Sequence, residues 1–317
     1  MPTEDLTISP RRYGASDVPA IRTEGLCKRY GDTLALDSLS LEVAEGEVYG
    51  FLGPNGAGKT TTIRLLLGLH RPSAGRAELF GVDCWREPVR SHRRIAYVAG
   101  EPFLWPSLTG EETLEFLARL HGGTDRAYRD VLVDRFALET SKKVRALSKG
   151  NRQKVQLIAA LGTRADLLLL DEPTSGLDPL MEMAFRASVA EAKERGQAVF
   201  LSSHILSEVE AVCDRVGILR AGRLVDEGTL EQLRHLRAQT VEVTFSGPVP
   251  DLSRLPGVTA TPMGSSGLRL EVSGSIGSVI SALADAPVAS LVSREPSLEE
   301  IFLHHYDDGD DRREPKP

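Results

Sequence analysis

The run Gly53-Pro54-Asn55-Gly56-Ala57-Gly58-Lys59-Thr60-Thr61 has the composition of a cradle for phosphate. Its glycines let the backbone take φ > 0 and turn successive N–H groups inward, and the helical pattern that follows places them at a helix N-terminus, where anions are favoured. Lys59 supplies a point charge for the β and γ phosphates, and the Thr60 hydroxyl can ligate Mg²⁺. A second group able to do chemistry is the carboxylate pair Asp171-Glu172, which ends the apolar run at 167–170. Open α/β sheets place their ligands where the strands end. Asp171 can hold Mg²⁺ there, directly or through water. Glu172 can accept a proton from a water attacking the γ phosphate, because phosphoryl transfer needs mainly positioning and charge neutralisation. Standing alone, such a pair would serve equally well to cap a helix.

Three further stretches accompany these two. Leu147-Ser148-Lys149-Gly150-Asn151-Arg152-Gln153 leads into a helical pattern through Val155, Ile158 and Ala159. Ser148 is therefore placed as an N-cap, with open backbone N–H groups behind it that make a second potential anion site. Ser202-Ser203-His204 follows an apolar run at 199–201, bringing an imidazole to the same sheet edge as Lys59 and Glu172. Ser175-Gly176-Leu177-Asp178 lies shortly after the carboxylate pair and reads as a turn and helix start.

The elements that must position these groups follow from periodicity. Residues 47–52 read as a buried strand feeding the glycine loop and 60–69 as the helix leaving it. Residues 38–43 alternate as a half-buried strand does, and 76–80 and 94–98 read as short strands. The period changes at 109–121, where Leu114, Leu117, Ala118 and His121 share a helical face and Thr109 and Glu112 have capping-box spacing. The pattern stays helical to about 162. Apolar runs at 166–170, 198–201 and 216–220 suit central strands of a parallel sheet covered on both faces, and Ala221-Gly222-Arg223 closes a hairpin.

Past 237 a second unit is expected. Val241, Val243 and Phe245 alternate, as do Leu268, Leu270 and Val272, and 276–283 and 297–306 read as helices, the latter with Ser297 and Glu300 as a capping box. Polar stretches at 1–19 and 307–317 are expected to be disordered tails.

A chain of 317 residues accommodates about two domains. Its net charge of −7 argues against nucleic acid or an anionic membrane as the partner of the whole surface. Cys27, Cys84 and Cys213 are widely spaced, which indicates neither a disulfide framework nor a metal site and suits a reducing cytoplasm. The apolar runs are far shorter than the ~20 residues of a spanning helix, so a membrane role would pass through a partner.

With these motifs in order, the chain resembles the ATP-binding subunit of an ABC transporter over residues 20–237. GPNGAGKT stands as the Walker A loop, LLLLDE as the Walker B strand, LSKGN as the signature, SGLD as the D-loop and His204 as the switch histidine. The resemblance implies an α/β P-loop NTPase core with a helical subdomain at about 91–162, ATP and Mg²⁺ as ligands, and Tyr30 as the aromatic that stacks on adenine. It implies a head-to-tail homodimer in which phosphates at Lys59 of one copy face Ser148 and Gly150 of the other, with Glu172 as base and His204 near the γ phosphate. It further implies a separate transmembrane permease and a place at the cytoplasmic face of the membrane. The small α+β domain at 238–306, with Glu295-Pro296-Ser297-Leu298-Glu299-Glu300-Ile301-Phe302-Leu303, resembles the appendage of daunorubicin-type bacterial exporter ATPases.

Departures from the family pattern are Gly100, where a glutamine is usual and where Glu101 could substitute, and Lys149 and Asn151 in the signature. They keep open a non-hydrolysing, nucleotide-gated module; a soluble ABC ATPase acting on ribosomes or DNA is the other rival. The apolar Phe103-Leu104-Trp105-Pro106 is either buried under the helical subdomain or exposed for a partner.

Overall fold

The computed structural model describes residues 18–235, 239–252, 255–272, 276–284 and 286–294. The expected helix at 297–306 with its capping box, the 307–317 tail and all but the end of the 1–19 tail lie outside the described residues.

Two long strands, β1 (Ile21–Tyr30) and β2 (Thr33–Val43), form a hairpin, and β3 (Val48–Leu52) runs into α1 (Lys59–Leu66). Next come β4 (Ala74–Leu79), β5 (Val82–Asp83), α2 (Pro88–His92) and β6 (Ile95–Val98). The helices α3 (Gly110–Leu120), α4 (Arg126–Arg135) and α5 (Lys149–Gly162) follow. Then come β7 (Leu167–Asp171), α6 (Pro179–Glu194), β8 (Ala198–Ser203), α7 (Leu206–Val212), β9 (Arg215–Arg220) and β10 (Arg223–Thr229). Packing divides the chain within β10, between Val225 and Asp226, whereas the change in sequence pattern falls later, at 238.

The first unit has two sheets. One is antiparallel, in the order β2-β1-β4-β5; the other runs β10-β9-β3-β8-β7-β6. In the second sheet β3, β6, β7, β8 and β9 pair in parallel. Every residue of β3, β7 and β8 is buried, which is why these strands read as unbroken apolar runs. Tyr49 of β3 stacks on Phe200 of β8 at 5.8 Å, and Phe51 tilts against the same ring at 5.1 Å. Gly217 of β9 leaves room for the Tyr49 hydroxyl, which an added Cβ would approach to 2.2 Å.

Helix α3 starts on the expected capping box: Thr109 Oγ1 accepts from Glu112 N at 3.1 Å, and Glu112 Oε2 accepts from Thr109 N at 2.7 Å. A polar clamp ties α4 to α6. Arg135 Nη2 donates to Glu191 Oε1 at 2.6 Å, the Tyr128 hydroxyl donates to Glu191 Oε2 at 2.8 Å, and the Arg195 guanidinium lies 4.5 Å over the Tyr128 ring. Hydrogen bonding from Arg135 first, then from Tyr128, holds the Glu191 carboxyl below the usual range.

The second unit, from Asp226, contains α8 (Leu230–His235), β11 (Gln239–Phe245), β12 (Val258–Met263), β13 (Gly267–Val272), α9 (Gly277–Leu283) and β14 (Val288–Arg294). Its antiparallel sheet, in the order β12-β13-β11-β14, buries Val241, Val243, Phe245, Leu268, Leu270 and Val272 against Val279 and Leu283 of α9. The unit is α+β.

Candidate active site

The parallel register brings the chemistry together. Leu52 pairs with Ser203 and Asp171 with Ser202, so the residues just past β3, β7 and β8 share one edge of the sheet. Gly53 N donates to Ser203 O at 3.3 Å, and Glu172 N donates to Ser202 O at 3.1 Å.

Between β3 and α1 the loop takes the shape its glycines allow. Gly56 has φ 81 and Gly58 φ 116, both left-handed. A Cβ on Gly58 would stand 2.8 Å from the Ala35 carbonyl oxygen, and one on Gly53 2.5 Å from that of Leu219. Asn55 is exposed, Pro54, Thr60 and Thr61 are half-buried, and Ala57 N closes the turn on Pro54 O at 3.1 Å. Lys59 is only 5% exposed. Its ammonium donates to Gly53 O at 2.6 Å and Pro54 O at 3.2 Å and lies 3.2 Å from Glu172 Oε1.

Asp171 and Glu172 diverge in one step of chain. Asp171 is buried, and its Oδ1 accepts from Ser202 Oγ at 2.6 Å. Glu172 takes φ 49, a left-handed conformation that costs a residue with a Cβ about 1–3 kcal/mol. Its carboxylate reaches Lys59 on one side and His204 on the other, where Nδ1 donates to Oε2 at 2.5 Å. Beside this group, burial and then the Asp171 charge push the Tyr97 phenol up to about 12, so it stays neutral at physiological pH.

Other expected site residues sit elsewhere. Ser148 is the exposed N-cap of α5, its Oγ accepting from Asn151 N at 3.2 Å. Gly150 is pressed against the turn after β7, where an added Cβ would meet the Gly176 carbonyl oxygen at 2.4 Å, and Lys149 Nζ donates to Ser175 Oγ at 3.2 Å. The described contacts of Ser148 and Gly150 are with this turn and the first turn of α5, not with the Lys59 loop. Tyr30 ends β1 and is 39% exposed, so it is not a core tyrosine; its ring meets His70 edge-on at 5.7 Å, with Lys28 Nζ 4.9 Å away.

Gly100 abuts the carboxylates: an added Cβ would lie 3.2 Å from Asp171 O and 3.4 Å from Glu172 Cβ. Glu101 is exposed. The apolar cluster that follows splits between the two expectations, with Leu104 buried, Phe103 93% exposed and Trp105 half-exposed with its ring edge-on to Phe116. Sequence reasoning missed the anchoring role of Ser202 and overlooked Glu208, a carboxylate buried beside Leu206 and Val209 on α7. The available signal was an acid on a helix's apolar stripe.

The profile of the ABC transporter family matches residues 36–175. Over 315 residues, 93% of this chain and 97% of the relative, the chain is 38% identical to the daunorubicin resistance ATP-binding protein DrrA3 of Streptomyces coeruleorubidus. It belongs to the ATP-binding subunits of ABC transporters. This subunit is also 39% identical over 229 residues to the bacitracin transport ATP-binding protein BcrA of Bacillus licheniformis, covering 71% of this chain and 75% of the relative. Among solved structures, an ATP-binding subunit of an ABC transporter superposes with a TM-score of 0.64 at 34% identity, over 68% of this chain and 92% of that one.

The subunit is thus an ATPase with the P-loop NTPase fold. The match to transport ATP-binding proteins disfavours the ribosome- or DNA-directed alternative. Among the described residues, no helix is long and apolar enough to cross a membrane.

Proposed function

We propose that this chain powers export through a separate membrane permease by closing as a head-to-tail homodimer over ATP at the cytoplasmic face of the membrane. The observation that carries the reading is Glu172 held between Lys59 and His204 at the edge where the phosphate loop opens. Open backbone N–H groups of the loop between Asn55 and Thr61 cradle the triphosphate, and Lys59 neutralises its β and γ oxygens. Tyr30, exposed at its turn, offers a ring to the adenine. Thr60 and the buried Asp171 supply the oxygen ligands that fit Mg²⁺. That ion, when bound, draws charge from the phosphoryl oxygens.

Glu172 takes the proton from the attacking water, and His204 orients that carboxylate and stands near the γ phosphate. Ser148 and Gly150 sit away from Lys59 in their own chain, which supports their serving the phosphates of a second copy. The nucleotide-binding domain comprises 20–237, with the helical subdomain about 91–162; 238–306 stabilises the dimer or regulates it. Phe103 and Trp105 provide apolar surface for the permease. The Drr and Bcr relatives support export of a drug-like cargo.

The test is Glu172→Gln in the full chain. Turnover falls by about 10²-fold or more, ATP binding is retained, and an ATP-dependent dimer accumulates on size-exclusion chromatography. A Glu172→Gln protein that turns over normally rejects the assignment.

A further inference from the structure

We propose that Glu208 is a positioning residue for hydrolysis, its buried carboxylate on α7 fastening the turn that carries Glu172 to the strand end that carries His204. Glu208 is 5% exposed, and both of its oxygens are engaged. Oε2 accepts from Ser203 Oγ at 2.6 Å, and Oε1 accepts from Thr174 Oγ1. Ser203 immediately precedes His204, and Thr174 lies just past Glu172 in the chain. Ser203 Oγ also accepts from Ile205 N at 2.9 Å, which fixes the backbone on the far side of the imidazole. The two residues that meet at 2.5 Å in the active site are thus each tied to the same carboxylate from behind.

Stability does not account for an acid at this position. Both hydroxyl partners are neutral, and burying a carboxylate against neutral donors costs solvation that an apolar side chain of similar volume, packed with Leu206 and Val209, would not incur. What the acid does provide is a fixed separation between two loops that must agree to within a fraction of an ångström, since small misplacements of reacting groups cost orders of magnitude in rate. The role rests on Glu172 being the base and His204 its partner.

The experiment measures steady-state ATPase kinetics, equilibrium binding of a fluorescent ATP analogue and thermal unfolding on the full chain. Glu208→Leu, Glu208→Gln, Thr174→Val and Ser203→Ala are compared, with Glu172→Gln as reference. Glu208→Leu is expected to lower kcat roughly ten- to a hundredfold while KM and nucleotide affinity stay near the original values. Glu208→Gln recovers most of the loss, because its amide still accepts from one hydroxyl and donates to the other. Thr174→Val adds little in the Glu208→Leu background, since both cut the same link.

Full activity in Glu208→Leu overturns the proposal, as does a joint fall of kcat, nucleotide affinity and unfolding temperature that Glu208→Gln does not repair. Should Glu208→Leu fail to fold, Thr174→Val and Ser203→Ala decide the matter, each removing one arm: a kcat loss at constant affinity supports the role and unchanged kcat rejects it. Normal turnover in Glu172→Gln overturns both readings. An inactive Glu172→Gln beside a fully active Glu208→Leu overturns only this one.

Discussion

Lys59 Nζ and Glu172 Oε1 stand 3.2 Å apart, so the amine of the phosphate loop and the acid at the end of β7 neutralise each other across the mouth of the site. Under the proposed function an incoming triphosphate competes with Glu172 for that amine. Lys59→Ala should therefore weaken ATP binding about ten- to a hundredfold, the worth of one or two charge-assisted contacts. Glu172→Gln, which removes the competitor, should bind ATP at least as tightly as the unaltered chain. Isothermal titration of both variants checks the pair, and weaker binding in Glu172→Gln would contradict the competition.

Gly150 has no room for a side chain, because a Cβ would approach the Gly176 carbonyl oxygen to 2.4 Å. Gly150→Ala must push the start of α5 away from the turn after β7, at a cost of about 1–3 kcal/mol. Thermal unfolding should show the loss. Turnover, read by phosphate release, should fall by more than the modest drop in nucleotide affinity, since under the proposed function the displaced segment serves the second copy.

Gly100 is a milder case. Its Cβ position, 3.2 Å from Asp171 O and 3.4 Å from Glu172 Cβ, requires a shift of only a few tenths of an ångström. Gly100→Ala should fold normally and bind ATP normally, with kcat lowered severalfold because the shift falls on the Asp171 carbonyl and so on the peptide that leads into Glu172. An unchanged kcat would show that this contact does not govern the base.

The three thiols should separate cleanly under alkylation. Burial pushes the Cys84 thiol up to about 12 and raises that of Cys213 further, whereas Cys27 is half-buried near the surface. The nucleophile is the thiolate, so iodoacetamide at mildly alkaline pH should label Cys27 in the folded chain and all three residues in denaturant. Peptide mass mapping reads the pattern, and rapid native labelling of Cys84 would contradict it.

The clamp between α4 and α6 should be pH-dependent in one direction. Hydrogen bonding from Arg135 lowers the Glu191 carboxyl below its ordinary value of 4.5, so its contribution is present above that value and is lost as pH falls through the depressed one. Arg135→Ala should cost about 1 kcal/mol at neutral pH, a screened value for a carboxylate about a third exposed. The gap between the two proteins in denaturant titrations should close only below pH 4.5. A gap that persists unchanged at pH 3 would remove Glu191 as its source.

The phosphate loop, the carboxylate pair and the imidazole are legible in the chain because each follows a continuous apolar run, and parallel strands buried on both faces leave that trace. Thr109 and Glu112 were legible for the same local reason, since a capping box is written in four consecutive residues. β1 left no such trace: Ile21, Thr23 and Leu26 are buried, but register shifts after Thr23 and Leu26 break the two-residue period. In β2, Ser38 takes φ 55 and divides the strand, so only its second half alternates. Glu208 was hidden because its partners, Ser203 and Thr174, lie on other elements and carry no charge that would mark the pairing.

The left-handed backbone at Glu172 bears on how this chain tolerates engineering. Glycine or asparagine would relax that position, and either would delete the acid. A library selected for heat resistance alone should therefore enrich those two residues there and deliver robust clones that bind nucleotide without spending it.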